Sequence, residues 1–140
     1  MKTGLRGALF PLVLAALAAS GCTTTGAGRG SAAVEPKGSA LYITALQGGL
    51  VGRIGGTTLS KADTQRALEA EYRALEAAPG GQPVSWQGSG MTGSVVAAAP
   101  YQVGSQNCRQ YSHTLTAGGR ETASRGAACR NANGSWTPLS

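Results

Sequence analysis

The feature that most constrains the fold is a Gly118-Gly119 dipeptide between two runs of strand-like residues. Gly-Gly is a favoured two-residue loop in β-hairpins, because glycine readily adopts the positive φ angles that such turns require. When this loop sets the register, Cys108 and Cys129 are each the tenth residue from the turn and lie opposite each other. Alternation makes them a non-hydrogen-bonded pair, in which side chains approach most closely. We therefore predict a Cys108–Cys129 disulfide.

This bridge is interpreted as structural. The two cysteines lack the Cys-x-x-Cys spacing that lowers a thiol pKa in redox-active pairs, so redox chemistry is the weaker alternative. Closing a loop of about twenty residues contributes on the order of 3 kcal/mol to stability. The same register places Tyr111 opposite Gly126, and Thr116 opposite Glu121.

The first 22 residues resemble a bacterial lipoprotein signal. Lys2 and Arg6 give a positively charged start, and residues 7–19 are apolar. This apolar run is roughly thirteen residues long and a bilayer-spanning helix needs about twenty, so we predict a cleaved signal peptide over residues 1–21. The sequence Leu-Ala-Ala-Ser-Gly-Cys resembles a lipobox, which predicts lipidation of Cys22. Ordinary signal cleavage without lipidation is the alternative.

Lipidation would also determine where the protein resides. Several acyl chains give durable attachment, since each buried methylene contributes about 0.8 kcal/mol. By analogy with other bacterial lipoproteins, Thr23 after the cysteine favours the outer membrane, where Asp would favour the inner one. In an oxidising compartment the two remaining cysteines are more consistent with a disulfide than with a metal site or a nucleophile. Loss of the signal lowers the formal net charge from +6 to +4, a modest excess that suits anionic envelope surfaces.

Two segments separate the signal from the rest of the chain. Residues 22–40 are rich in Thr, Gly, Ser and Ala, which predicts a disordered, flexible tether. Residues 41–59 are apolar and carry Gly48, Gly52 and Gly56 at intervals of four. On a helix these glycines would share one face, which suits a short glycine-zipper-like segment for self-association or membrane association. Because glycine costs about 1 kcal/mol per helical position, we favour a flexible or marginal helix over a true zipper, and we expect deletion of the segment to leave the C-terminal domain folded.

Residues 60–140 are predicted to form one α+β domain. Ser60 followed by Asp63 resembles a capping box, and apolar residues then recur at helical spacing until a Pro-Gly-Gly sequence, which predicts an amphipathic helix from Lys61 to about Ala77. Glycine-containing turns divide the remainder into short strands. They are predicted at 84–87, 94–103, 107–117, 120–130 and near Trp136. We expect the helix to pack on one small antiparallel sheet that contains the disulfide-linked hairpin.

The apolar residues available for a core are few for a domain of this length. The main candidates are Leu68, Tyr72, Leu75, Val84, Trp86, Met91, Val95, Val96, Tyr101, Val103, Tyr111, Leu115, Trp136 and Leu139. The two tryptophans with nearby Arg109, Arg125 and Arg130 offer an alternative binding face, but we favour a core role for both rings.

Residues with catalytic chemistry do not form a recognisable set. The single histidine, His113, lies between Ser112 and Thr114, and adjacent residues of a strand point to opposite faces, which argues against a Ser–His dyad. After the tether, the carboxylates fall on the predicted helix, apart from Glu121. Metal-ligand spacings and phosphate-binding loops are absent. We therefore expect no catalytic residue, no metal and no cofactor.

Several motifs resemble those of the 17 kDa surface antigen family of bacterial outer-membrane lipoproteins. They are the lipobox, Arg73-Ala-Leu-Glu, Ala78-Pro79-Gly80, Val84 with Trp86, Asn107-Cys-Arg-Gln-Tyr-Ser-His-Thr, Gly118-Gly119, Gly126-Ala-Ala-Cys-Arg and Gly134-Ser-Trp. The part from Cys108 to Trp136 is the most specific. The resemblance implies a lipid anchor, a glycine-zipper segment and a small antigen domain, with no assigned catalytic residue. This chain has a single short glycine triplet where relatives often carry a long repeat.

Together these features predict a non-enzymatic lipoprotein in the outer membrane with a structural or interaction role in the cell envelope. The expected partners are the membrane through the N-terminal lipid, envelope proteins or cell wall, and a second copy of the chain; we expect no nucleic-acid partner. The alternative is a periplasmic binding or inhibitor module that acts on a cell wall hydrolase or an envelope ligand. The net positive charge would repel basic host lysozymes, which counts against that version.

Overall fold

The computed structural model describes residues 39–140, in which helical elements precede a six-stranded antiparallel sheet. The helical elements are α1 (Ser39–Ala45), the 3-10 turn η1 (Val51–Arg53) and α2 (Lys61–Glu76). The strands are β1 (Pro83–Gly88), β2 (Met91–Ala97), β3 (Tyr101–Val103), β4 (Gln106–Ala117), β5 (Arg120–Arg130) and β6 (Trp136–Pro138). The predicted signal peptide, Cys22 and nearly all of the predicted tether lie outside the described residues.

Helix α2 begins where the sequence predicts. The Ser60 hydroxyl accepts a hydrogen bond from the Asp63 N–H at 3.0 Å and donates one to the Asp63 carboxylate at 2.7 Å. This arrangement satisfies one of the backbone donors that a helix leaves unpaired at its start. The Asp63 carboxylate also accepts from the Ser89 N–H at 3.3 Å, so the same residue ties the start of α2 to the β1–β2 turn.

The central hairpin has the predicted register. Strands β4 and β5 pair so that Cys108 faces Cys129, and the two are joined by a disulfide across a Cα–Cα distance of 4.0 Å. Tyr111 lies opposite Gly126. The sheet order is β1-β2-β4-β5-β6, and β3 pairs with β4 beyond the end of β2.

The predicted strand over residues 94–103 is divided in the structure. Strand β2 ends at Ala97, and β3 begins at Tyr101 after an interruption that contains Pro100. Proline has no N–H to donate to a ladder, so it disfavours a continuous central strand. As a result, Tyr101 and Val103 are exposed on a short strand and are not core residues.

Alternation along the strands gives the sheet two different faces. The inner face meets the helical elements and carries four buried side chains of β4, which are Arg109, Tyr111, His113 and Leu115. The outer face carries rows of small polar groups, such as Ser85, Ser94 and Thr114 on neighbouring strands. Most core predictions on the inner face are confirmed, whereas Leu139 is exposed and Val96 lies half-buried on the outer face.

Residues 41–59 correct the predicted domain boundary at residue 60. Leu46, Leu50, Val51 and Ile54 are buried in the same core cluster as the helix and the sheet. The segment is therefore part of the domain, and the expectation that it is dispensable for folding is reversed. The sequence did not indicate this docking, because a spacing of i, i+4, i+5 and i+8 suits one face of a single helix, whereas the chain here leaves α1 at Ala45 and turns through η1.

The glycines of this segment also differ from the zipper interpretation. Helix α1 ends at Ala45, and Gly48 and Gly56 have φ angles of 85° and 83°, which are left-handed conformations. Gly52 lies in the 3-10 turn between them. The three glycines therefore do not share the face of one helix, and two of them adopt the left-handed conformation that glycine tolerates best. Within residues 39–140, the helices are too short or too polar to cross a bilayer.

Candidate functional site

The two most deeply buried polar side chains, Glu71 and His113, form with Trp86 and Tyr111 a set that is here called the Glu71 cluster. Glu71 and His113 are both 0% exposed. The Glu71 carboxylate is 2.7 Å from His113 Nδ1 and accepts a hydrogen bond from the Tyr111 hydroxyl at 3.3 Å. His113 Nε2 is 2.8 Å from the indole Nε1 of Trp86. Helix α2 thus supplies the carboxylate, and strands β1 and β4 supply the other three side chains.

The glycine at position 93 makes this geometry possible. Trp86 on β1 must cross β2 to reach His113 on β4, and Gly93 on β2 is directly opposite Trp86. A Cβ atom at Gly93 would lie 2.1 Å from the indole nitrogen, so the ring occupies the space that any other residue would fill. The bare backbone of β2 therefore provides the passage for the Trp86 ring.

The hydrogen-bond partners define the proton positions in the cluster. The Trp86 indole N–H can only donate, so His113 Nε2 acts as the acceptor and the neutral ring carries its proton on Nδ1. Nδ1 then donates to the Glu71 carboxylate. Burial raises the pKa of Tyr111, and the neighbouring Glu71 charge raises it further, so this hydroxyl stays protonated and donates as well.

The Glu71 carboxylate also holds the N-terminal segment in place. It accepts hydrogen bonds from the N–H groups of Leu50 at 3.0 Å and Val51 at 2.8 Å, at the start of the 3-10 turn η1. Gly49 has a φ of 59°, and a Cβ atom there would lie 2.2 Å from the carboxylate oxygen. Glycine at this position therefore allows the backbone to approach the buried charge.

This arrangement contains a histidine and a carboxylate paired as in a catalytic triad, but the histidine is not accessible to a substrate. In a triad, the second imidazole nitrogen contacts a nucleophile. Here that nitrogen is occupied by Trp86, and the side chains of His113 and Glu71 are completely buried. The chemistry of the cluster is therefore cohesion between elements, because four neutral donors satisfy the hydrogen-bonding capacity of one buried carboxylate.

Arg109 is a second buried charged group with a structural role. Its guanidinium donates to three carbonyl oxygens at the end of α2 and to two at the end of β2. The five acceptors belong to Ala74, Leu75, Ala78, Ala97 and Ala98. A cation at this end of a helix complements its dipole and satisfies carbonyls that lack an intrahelical partner. Burial lowers the Arg109 pKa from its usual value.

The predicted alternative, a binding face of tryptophans and arginines, divides into separate structural contacts. Trp86 and Trp136 are both buried, as the core interpretation predicts. The Trp136 indole donates to Glu76 at 2.7 Å, and Arg130 donates two bonds to the same carboxylate at 2.9 Å each. Hydrogen bonding to Arg130 lowers the pKa of Glu76, with Trp136 adding to this effect. Arg125 is exposed on β5, away from this contact.

The outer face of the sheet is the main open surface. A shallow groove of about 660 Å³ crosses it, and its lining includes Val96, Gln110, Arg125 and Leu139. Its walls mix small polar and apolar groups, without a concentration of titratable side chains. Among residues 39–140, no three His, Cys, Asp or Glu side chains come together as metal ligands.

The structure places the sequence-predicted site residues in distinct regions. Cys22 lies outside the described residues, and the Cys108–Cys129 bridge joins β4 to β5 at the end remote from the Gly-Gly turn. Glu121 is exposed and distant in register from His113. The Glu71–His113 contact was not predicted from the sequence. The burial of Glu71 could have been inferred from its position three residues after Leu68 and four before Leu75, on the apolar face of the helix.

Comparison with known proteins gives consistent matches for the C-terminal part of the chain. Residues 73–137 match the family described as 17 kDa outer membrane surface antigen. The 17 kDa surface antigen of Rickettsia bellii strain RML369-C is 36% identical over 84 residues, which is 58% of this chain and 53% of that protein. The antigen of Rickettsia conorii is 35% identical over 81 residues, or 56% of this chain and 51% of that protein.

The antigen of Rickettsia prowazekii is 37% identical over 76 residues, which is 51% of this chain and 48% of that protein. The chain thus spans about half the length of the relatives it matches. No solved structure matches it. The family match begins in the second half of α2 and includes the sheet from β1 to residue 137 in β6, with the Cys108–Cys129 hairpin within it. Through residues 73–137, this chain is therefore similar to the 17 kDa outer membrane surface antigen family.

Proposed function

We propose that this protein is a lipid-anchored component of the outer membrane whose folded body has a structural or interaction role in the cell envelope. The family description, which refers to an outer membrane surface antigen, supports the location. The lipobox-like sequence that ends at Cys22 supports the mode of attachment. Residues 22–38 would then connect the lipid to the body, which begins with α1.

The closed Glu71 cluster is the observation that carries the non-catalytic part of this proposal. Both nitrogens of His113 are engaged by protein groups, and the carboxylate that would orient it is fully used by four donors. Arg109 is likewise consumed in holding the end of α2. The side chains that an enzyme would use for acid–base work thus contribute to stability, and the outer face remains for contact with other molecules.

Attachment is tested by replacing Cys22 with Ser in the full chain and fractionating the cells. Because serine cannot receive the thioether-linked lipid, we expect the variant to move from the membrane to the soluble fraction, while the control Thr23→Ser stays in the outer membrane. Thr23→Asp should shift the protein to the inner membrane if the residue after the cysteine directs sorting. Retention of Cys22→Ser in the outer membrane would contradict the lipid anchor.

The interaction role is tested by isolating the anchored protein from solubilised envelopes with its associated material. A structural role predicts recovery of several envelope proteins or cell wall fragments, each at less than one copy per chain. A single protein recovered at one copy per chain, especially a cell wall hydrolase, would instead support an inhibitor module.

A further inference from the structure

Strand β5 has a long edge with no partner strand in the described part of the chain. On one side residues 120–129 pair with β4, and on the other side β6 covers only residues 128–130. The Leu139 N–H extends this contact by one hydrogen bond of 2.8 Å, to the Ala127 carbonyl. Residues 120–126 therefore present an open sheet edge, which is a template for pairing with another strand.

The turn register identifies which backbone groups this edge presents. Because Ala117 and Arg120 flank the two-residue loop, even-numbered residues of β5 exchange hydrogen bonds with β4. The N–H and C=O groups of Glu121, Ala123 and Arg125 then point away from β4. The side chains of these three residues are exposed on the outer face of the sheet.

We propose that two copies of this chain pair antiparallel through this edge, with Ala123 of each copy on the two-fold axis. In this register Ala123 faces Ala123 of the second copy, and each Glu121 faces Arg125 of the other copy. The contact is isologous, so it closes as a dimer and leaves no further edge of the same kind open. It supplies about six backbone hydrogen bonds and two ion pairs between directly opposed side chains.

The charges select this register over its neighbours. A two-fold axis at Glu121 would oppose two carboxylates, and an axis at Arg125 would oppose two guanidinium groups, both of which are destabilising. Only the axis at Ala123 places Glu121 of each copy opposite Arg125 of the other copy. The other edge strand, β1, has the sequence Pro-Val-Ser-Trp-Gln-Gly, which contains no ionisable side chain to specify a register.

A cross-linking experiment on the full chain in membranes tests the position of the axis. Ala123→Cys places two thiols at the axis, where opposed Cα atoms are about 5.5 Å apart, so mild oxidation should give a covalent dimer. Gln87→Cys is the matched control, since it is an exposed residue on the opposite edge strand and should remain monomeric. A dimer yield for Ala123→Cys no higher than that for Gln87→Cys, with both thiols accessible to a maleimide, would overturn the proposal.

Charge reversal tests the register independently. Glu121→Arg or Arg125→Glu, each combined with Ala123→Cys, should lower the cross-linking yield at limiting oxidant roughly tenfold, because each creates two like-charge contacts. The double exchange should restore the yield, since it exchanges the two charges and keeps them opposed. Both side chains are exposed, so thermal unfolding should be unchanged in all three variants. Failure of the double exchange to restore the yield, or unchanged yields in the single variants, would contradict this register.

Discussion

At the scale of single residues, Glu71 joins parts of the fold that are distant in the sequence. Its carboxylate is fully buried and accepts hydrogen bonds from Leu50, Val51, Tyr111 and His113. These donors come from the N-terminal segment and from β4, between 20 and 42 residues away in sequence. A buried charge with several donors is stable as a unit and costly to disturb, because removing one member leaves the others unsatisfied.

Glu71→Gln is therefore expected to destabilise the domain by about 3 kcal/mol. Each carboxylate oxygen accepts two hydrogen bonds, so the amide nitrogen of glutamine would face two donors whichever way it is oriented. Chemical denaturation followed by tryptophan fluorescence measures this loss.

Glu69→Gln is the matched control for this measurement. Glu69 lies on the same helix, is only half-buried and contacts Gln65, so its replacement should change stability by less than about 0.5 kcal/mol. Equal, small losses for both variants would mean that the Glu71 carboxylate is not needed to hold the segment.

At the scale of elements, the sequence predicted local structure well and long-range contacts poorly. The α2 cap, the Gly-Gly turn and the Cys108–Cys129 register depend on residues close to the turn or the helix end, so they could be predicted. The docking of residues 46–54 could not, because it depends on hydrogen bonds from backbone N–H groups to a helix carboxylate. Backbone N–H groups are present whatever the side chain is, so the sequence does not reveal which of them bind a carboxylate. A helical glutamate by itself usually indicates a solvent-exposed position.

The disulfide-linked hairpin leads to a prediction about additivity. Cys108→Ala and Cys129→Ala should each lower the free energy of unfolding by about 3 kcal/mol, since either change opens the same loop. The double variant should lose about as much as each single variant. Thermal or chemical unfolding of the three proteins under oxidising conditions gives the comparison, and additive losses would show that the two cysteines act separately.

The two ends of α2 predict how stability depends on pH. The Ser60 hydroxyl lowers the pKa of Asp63, with the Ser89 N–H and Arg66 adding to the effect, and Arg130 lowers the pKa of Glu76. A carboxylate with a lowered folded pKa stabilises the protein above its unfolded pKa, which is about 4. This contribution is lost as pH falls through the lower folded value.

We therefore expect the stabilisation from these two carboxylates to be constant above about pH 5. Below about pH 4 it should decrease, and the melting temperature should fall with it. The Asp63→Asn/Glu76→Gln double variant should be less stable than the unmodified protein at pH 7, and the difference should shrink towards pH 3. A difference that is the same at both pH values would show that these carboxylates do not contribute through ionisation.

At the scale of the whole molecule, the body extends from α1 to the end of the sheet. Leu46, Leu50, Val51 and Ile54 fill the core beside the sheet, and Glu71 fixes the backbone between them. The N-terminal segment therefore completes the inner layer of the domain, and any force transmitted from a membrane anchor would act on a docked part of the fold.

Truncation tests this extent of the body. A chain that begins at residue 39 should unfold cooperatively, whereas one that begins at residue 60 should lack a cooperative transition. The second truncation removes four buried apolar side chains at about 1.5–3 kcal/mol each, which is comparable with the whole stability of a small domain. A sharp transition for the shorter chain, measured by circular dichroism, would place the boundary after this segment.

The proposed lipid anchor would determine where the whole molecule acts, and one measurement tests it most directly. Intact-mass and N-terminal peptide spectrometry of protein purified from its native host should find a mature chain that begins at Cys22 and carries acyl groups. An unmodified amino terminus, or a chain that begins at any other residue, would contradict a lipid-anchored location.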